Sequence, residues 1–526
     1  MRTATIVLAL FSVALAGTVE IDAQPSFDLV IRNARVVDGT GAPARSAEIG
    51  VTDGRIAAVG HLGDVPARQT IDARGQVVSP GFIDVHTHAD EVAEHPLAEH
   101  FVRMGVTTVI AGNCGGSAEN IASALRAVEQ TRVAVNYATL FGHNTVRREV
   151  MGTERRPPTA EELAKMEALV EQAMRDGAVG FSTGLQYVPG TYADQAEIIA
   201  LAKAAARVGG VYASHMRNEG TELENAVKET IEIGEAAGLP VEISHLKVDA
   251  PSRWGASAKA LAMIDAARAR GVKVAADVYL YDAASSNLGI RFPSWVLEGG
   301  QPKINERLDD EATWRRIKEE MKKLIRERGL ENYDFARIAS YRTDPALNGL
   351  TIPEAARKIL GGSDIEAQLE MMRRMLRAGG ASMVYQFMAE DDIGRILRHP
   401  HVAIASDSGL NVMGQGVPHP RGYGNAVRAL GRYVRELNVI PLEEAVRKLT
   451  SLPADHFGFA DRGRIAIGKA ADLVIFDPAL VADRATYEQP HQYPVGVTAV
   501  LVNGVAVVQN GAHTNARPGQ IVRRSN

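Results

Sequence analysis

Ser79-Pro-Gly-Phe-Ile-Asp-Val-His-Thr-His-Ala-Asp90 is the stretch on which the reading of this chain turns. A short apolar run ends in His86 and His88, two residues apart. Side chains alternate across a strand, so both imidazoles face the same side. Two co-facing neutral imidazoles at the end of a buried strand suit one metal ion. The same spacing also fits surface or hydrogen-bonded core histidines, so its meaning depends on further ligands elsewhere in the chain.

Upstream of this stretch the pattern is β. Phe27 to Val37 alternates apolar and polar residues and is followed by the turn Asp38-Gly39-Thr40-Gly41. Ala47 to Val59 repeats the alternation around Asp53-Gly54, a two-residue hairpin signal, and Ile71 to Val78 makes another strand. Downstream, strand-like runs alternate with helical ones. Counting Phe82–His88, they are Gly105–Ala111, Val133–Phe141, Ala178–Thr183, Val211–His215, Val241–His245, Val272–Tyr279 and Val402–Ser406. Thr159 to Asp176 shows the helical logic: Thr159 and Glu162 form a capping box, Leu163, Met166, Leu169, Val170 and Ala173 keep helical spacing, and Gly177 is the stop. Eight βα-type units predict an α/β (β/α)8 barrel with its reactive residues at the C-terminal strand ends. A doubly wound open sheet is the alternative.

About 120 residues separate Tyr281 from Val402, too many for an ordinary connection. Trp314–Arg328 and Ile365–Arg377 read as helices, which predicts a helical insertion placed as a lid over the barrel mouth. Ser382–Phe387 fits a strand of either the barrel or the insertion. Ala470–Phe476 and Val497–Val508, with the turn Asn503-Gly504, return to β patterning. The expected organisation is therefore a β-sandwich domain built from residues 26–80 and 465–526, around a barrel at 81–464 with an insertion at about 285–380.

The first 23 residues read as a secretory signal: Arg2, the apolar run Ile6–Leu15, then small residues with cleavage after Ala16 or Ala23. They predict an exported protein, periplasmic or secreted, with no membrane association after processing. Arg2, Glu20 and Asp22 contribute −1, so processing changes the net charge from −5 to −4. That charge offers no basic excess for phosphates, which argues against nucleic acid as a partner. Cys114 is the single cysteine, so no intramolecular disulfide can form and stability must come from packing or metal.

Candidate ligands fall at strand ends. Cys114 follows the second strand in Gly112-Asn-Cys-Gly-Gly116, His215 ends the fifth, His245 the sixth, and Asp407 the eighth. Thiolate, imidazole and carboxylate all suit zinc. Each alone has a bland reading, as core cysteine, core histidine or turn aspartate. Together with the histidine pair, five strand ends of one barrel bear such groups.

Gly81-Phe-Ile-Asp-Val-His-Thr-His88 before a barrel, with a β domain split between the termini, resembles the amidohydrolase superfamily. Gly112-Asn-Cys-Gly115, Gly177-Ala-Val-Gly-Phe-Ser-Thr-Gly-Leu-Gln-Tyr-Val-Pro-Gly190, Ser244-His-Leu-Lys247, His419-Pro-Arg-Gly-Tyr-Gly424 and Gly463 to Asp477 resemble its N-acyl-D-amino-acid deacylase (D-aminoacylase) family. Gly177–Gly184 holds no lysine, which fits a family that uses a cysteine where relatives bridge metals through a modified lysine.

The resemblance implies a tight zinc held by Cys114, His215 and His245, and a weaker second position at His86 and His88 sharing Cys114. Asp407 would contact metal-held water and serve as general base. Lys247, Tyr279 and Arg421 would bind the substrate carboxylate, with Ser285 and Tyr187 as further pocket residues. His143, at the third strand end, is a candidate to hydrogen-bond substrate or to serve structurally. Leu280 and Ala284 depart from the family pattern, which has proline and glycine there, and bear on side-chain or acyl preference. The implied reaction is hydrolysis of N-acyl-D-amino acids, with an oligomer as an open option. A cyclic imide, dipeptide or N-acylated xenobiotic would suit the same chemistry, and a catalytically silent metal-binding barrel is the reading from another class.

Overall fold

A computed structural model describes residues 27–525, so the expected export signal lies outside the described residues. The alternating stretches at the N-terminal end pair as their patterns require. Phe27–Val36 and Arg45–Thr52 run antiparallel, with Leu29 opposite Val51 and Ile31 opposite Ile49. Asp53 and Gly54, both at positive φ, turn the chain into Arg55–Gly60. Val77–Pro80 lies parallel to the first strand and antiparallel to Leu473–Phe476, which pairs with Val497–Val502 and that in turn with Val505–Gln509. Both ends of the chain therefore share one nine-stranded sheet. Buried Leu29, Ile31, Ile49, Val78, Leu473 and Leu501 form a core of its own.

Between the ends the pairing is parallel and follows chain order. Phe82–Asp84 pairs with Val106–Ala111, and that strand with Asn136–Thr139. The third strand runs on to Phe141–Gly142, which pairs with Gly180–Gly184. Val211–His215, Val241–Ile243, Val274–Val278 and Val402–Ile404 follow in turn. Past Ile404 the chain meets the first strand again. The Ser406 N–H donates to Asp84 Oδ1 at 3.0 Å, and Ser408–Gly409 pairs with Thr87–His88. The pairing thus returns to the strand on which it began.

Strands buried on both faces read as near-continuous apolar runs, and these do. Val109, Val241, Ile243, Val278 and Ile404 share a core with Leu201, Val227 and Ile264 of the intervening helices. The helix Ala160–Asp176 carries the expected capping box of Thr159 and Glu162 and stops at Gly177, at φ 119.

The insertion differs from the helical element expected. Ala283–Asn287, Ala336–Ser340 and Ser382–Gln386 form a three-stranded antiparallel sheet with the last in the middle, so Ser382–Phe387 belongs to the insertion. Helices Glu311–Glu327 and Ile365–Arg377 pack with it through Trp314, Ile317, Met321, Ile338, Leu369, Met372 and Tyr385. Among the described residues, no helix is long and apolar enough to cross a membrane.

Candidate metal centre

Strand ends turn sharply to present the site. Cys114, His245 and Asp407 take φ of 53, 35 and 52, in the left-handed region that side-chain-bearing residues rarely occupy. Each such conformation costs on the order of 1–3 kcal/mol and persists only where the surroundings impose it. The surroundings of Cys114 are close. A Cβ on Gly112, itself at φ 73, would lie 2.1 Å from the Leu140 carbonyl oxygen, and one on Gly184 2.0 Å from the Cys114 carbonyl oxygen. Asn113 between them fixes the neighbouring strand. Its Nδ2 lies 3.0, 3.2 and 3.4 Å from the carbonyl oxygens of Ile110, Val85 and Thr87.

The Cys114 Sγ is the common point. It lies 3.6 Å from His215 Nδ1, 3.6 Å from His245 Nε2 and 3.3 Å from His86 Nε2. Among the described residues, the two clusters able to hold an ion are Cys114, His215 and His245, and His86, His88, Cys114 and Asp407. Burial alone would raise the Cys114 thiol, but the imidazoles of His86, His215 and His245 outweigh it and hold it well below the usual range. His86 is fully buried, whereas the His88 side chain is 39% exposed, so the pair that shares a strand does not share an environment.

Asp407 sits beside both histidines, its Oδ1 3.5 Å from His86 Nε2 and 3.2 Å from His88 Nε2. Its Oδ2 is 2.8 Å from Arg421 Nη1. Burial pushes its carboxyl up, yet Arg421, His86 and His245 together hold it well below the ordinary carboxylate range. Asp407 is therefore ionised, as a proton acceptor must be.

The expected carboxylate-binding residues gather alongside. Lys247, Tyr279 and Arg421 are buried, with Lys247 Nζ 5.7 Å and Arg421 Cζ 4.5 Å from the Tyr279 ring centre. The Arg421 Nε is buried and has no hydrogen-bond partner among the described residues, leaving a donor open to a ligand. Ser285 lines a cleft of about 380 Å³ together with Asp407, His419 and Arg421. Tyr187 packs on the His215 ring at 4.6 Å and hydrogen-bonds Ser286 at 3.1 Å. Leu280, at the position of the family's proline, uses the N–H that proline lacks, donating to Asn425 Oδ1 at 2.8 Å.

His143 stands in the structural role of its two readings. Its ring is fully buried, with Nε2 2.9 Å from Glu197 Oε1 and Nδ1 3.2 Å from Asn144 Oδ1. Glu197 also pairs with buried Arg147, so both His143 nitrogens are engaged by protein and neither is left for substrate. Sequence reasoning also missed two acids behind the ligands. Asp277 Oδ2 lies 3.2 Å from His86 Nδ1 while its Oδ1 accepts the His245 N–H at 2.9 Å. Glu219 lies 2.9 Å from His245 Nδ1. An aspartate inside the apolar strand Val274–Val278 was the available signal for the first; Glu219, in a loop, gave none.

The donor set fits zinc. Tetrahedral bonding at ordinary Zn–S and Zn–N lengths sets sulfur and nitrogen about 3.6 Å apart, the separation of Cys114 Sγ from both His215 and His245. The two imidazole nitrogens, at 2.8 Å, lie closer than that geometry sets them. Carboxylates on the far nitrogens of His86 and His245 supply the outer partners that ligating histidines usually have.

Comparison with known proteins agrees with this geometry. An amidohydrolase family model matches residues 69–508. An N-acyl-D-glutamate deacylase of Alcaligenes xylosoxydans xylosoxydans is 39% identical over 524 residues, covering 95% of this chain and 97% of that one. The crystal structure of N-acyl-D-glutamate deacylase from Bordetella bronchiseptica, complexed with zinc and a phosphonate mimic of the tetrahedral intermediate, matches with a TM-score of 0.82. It is 38% identical and covers 94% of this chain and 99% of its own. A D-aminoacylase structure solved to study its binuclear metal centre matches at a TM-score of 0.81 and 36% identity, covering 95% of this chain and all of that one. The chain belongs to the amidohydrolase family, in its N-acyl-D-amino-acid deacylase branch.

Proposed function

We propose that this protein hydrolyses the amide bond of N-acyl-D-amino acids with zinc at Cys114, His215 and His245, releasing a carboxylic acid and a D-amino acid. The observation that carries the reading is the position of Asp407, within 3.5 Å of His86 and 3.2 Å of His88, as a member of the second of two clusters that share Cys114. Bound metal supplies Lewis-acid polarisation of the carbonyl and acidifies water. The remaining work falls to the chain. Asp407 accepts the proton of the attacking water and returns it to the leaving nitrogen, which must depart as an amine. Arg421 favours the ionised form of Asp407 before the first transfer and again after the second, when the proton has gone to nitrogen. Lys247 and the unpaired Nε of Arg421 hold the substrate carboxylate against Tyr279 and so orient the amide.

The resemblance to named deacylases supports the D configuration. A second cleft of about 690 Å³, lined by Tyr187, Leu288, Ile290, Leu297 and Ile304, meets the first at Ser340 and Ser382. It supplies room for the group beyond the amide. The test is an assay of paired N-acetyl-D- and N-acetyl-L-amino acids with zinc-loaded and chelated protein. Turnover of the D series that disappears on chelation and returns with zinc is expected. Turnover confined to L substrates or to cyclic imides would overturn the reading.

Three structural readings go with it. The order of parallel strands, which returns at Ser408–Gly409 to Thr87–His88, supports a (β/α)8 barrel spanning residues 81–464. The nine-stranded sheet shared by the two ends of the chain, with its separate core, supports the β-sandwich domain. Residues 1–23 direct export and are removed; the mass of the protein recovered from the periplasm or medium tests this.

A further inference from the structure

Glu219 lies four residues past His215 and is 3% exposed. Its Oε1 is 2.9 Å from His245 Nδ1 and 2.6 Å from Lys247 Nζ, while its Oε2 is 3.6 Å from His215 Nε2. The nitrogens of His245 and His215 that face Cys114 Sγ are the opposite ones, Nε2 and Nδ1. One carboxylate therefore touches the rear of both histidines and the ammonium beside them. Its own backbone is held, since the Asp249 N–H donates to the Glu219 carbonyl at 2.9 Å.

The third side of this triangle is a direct contact. Lys247 Nζ and His245 Nδ1 are 2.7 Å apart. A histidine that offers Nε2 to a metal carries its proton on Nδ1. Lysine ammonium has donors only. With metal on Nε2, both groups would be donors, and the Glu219 oxygen they share is the acceptor within reach of each. His215 Nε2, buried and without a hydrogen bond of its own, faces the same carboxylate at 3.6 Å.

We propose that Glu219 is a positioning residue that aims His215 and His245 at the metal and holds Lys247 beside them, so that metal affinity and capture of the substrate carboxylate run through one side chain. The carboxylate half rests on the function proposed above; the metal half does not.

The test compares Glu219→Gln, Glu219→Asp and Lys247→Met. In zinc competition against a chromophoric chelator, Glu219→Gln is expected to bind zinc roughly 10–100-fold more weakly than wild type, the usual effect of removing such an outer partner. Glu219→Asp is expected to recover part of that loss, and Lys247→Met to bind zinc within about twofold of wild type because lysine does not face the metal. In steady-state kinetics at saturating zinc, Glu219→Gln is expected to raise KM for an N-acetyl-D-amino acid more than for the matching N-acetyl amine without a carboxylate. Circular dichroism identifies a variant that fails to fold, in which case Glu219→Asp carries the zinc measurement. Wild-type zinc affinity in folded Glu219→Gln, or equal KM effects on both substrates, overturns the proposal. If no acyl amino acid is turned over by the wild type, the proposed function fails while the zinc measurement still decides the metal half.

Discussion

At the scale of single residues, the site depends on charges whose partners are themselves functional. Asp407 is braced by Arg421 on one oxygen and addressed by two histidines on the other. Asp407→Asn keeps the shape and removes the base, so kcat is expected to fall by roughly 10²–10⁴, with zinc at the tight site retained by elemental analysis. Cys114→Ala should instead lose metal from both positions, since both clusters contain that sulfur. A quieter residue sets the stability at low pH. The His100 Nδ1–H donates to the Gly422 carbonyl at 2.7 Å and its Nε2 accepts the Asn411 N–H at 3.2 Å, tying down the segment that carries Arg421. Burial pulls its pKa down to about 4. The unfolded chain therefore takes up this proton first as pH falls, so the stability is complete above about 6.5 and drains away towards about 4. Urea unfolding at pH 6.5 and 5 should show a loss on the order of 2 kcal/mol from this group, and His100→Asn should flatten that slope.

Among elements, the junction of the first two parallel strands is the most exposed to a single change. Asn113 is near three carbonyl oxygens, two of them flanking His86. Asn113→Ala removes a donor from the Val85 and Thr87 carbonyls, at about 1–3 kcal/mol for each buried acceptor left unpaired, while Ile110 keeps the Thr87 hydroxyl at 2.8 Å. It should weaken metal at His86 and His88 before that at His215 and His245, as sequential titration would show. This element was legible in outline. The apolar runs and the chemistry at their ends are local features, and they placed Cys114, His215, His245 and Asp407 at strand termini as found. The insertion was less legible, because Ala336–Ser340 is short, carries an arginine and acquires its strand character from Ser382–Gln386, some forty residues away. Glu219 and the true surroundings of His143 were not legible at all. Both depend on which loops meet in space, and neither hydrophobic period nor spacing encodes that.

For the whole molecule, the two ends of the chain act on the centre. The C-terminal tail runs under the third parallel strand: the Gly519 N–H donates to the Val133 carbonyl at 2.8 Å, Tyr137 N–H to Gln520 at 2.9 Å, and Val522 N–H to Tyr137 at 2.8 Å. Val522 is buried with Ile110, Leu140 and Phe457. Ending the chain after Ala516 removes that packing, worth about 1.5–3 kcal/mol for one valine, and should lower the melting temperature measurably. An unchanged melting temperature would show that the tail is ornamental. The left-handed backbones at Cys114, His245 and Asp407 have a longer reach. Glycine adopts that conformation without steric cost, so the side chain that carries the chemistry at each of these positions is also the one that strains its backbone. A glycine there would relax the turn but leave a buried void and orphaned partners, Glu219 and Lys247 behind His245 and Arg421 beside Asp407. Relaxing any one of the three turns therefore disarms the site without freeing the fold of strain elsewhere.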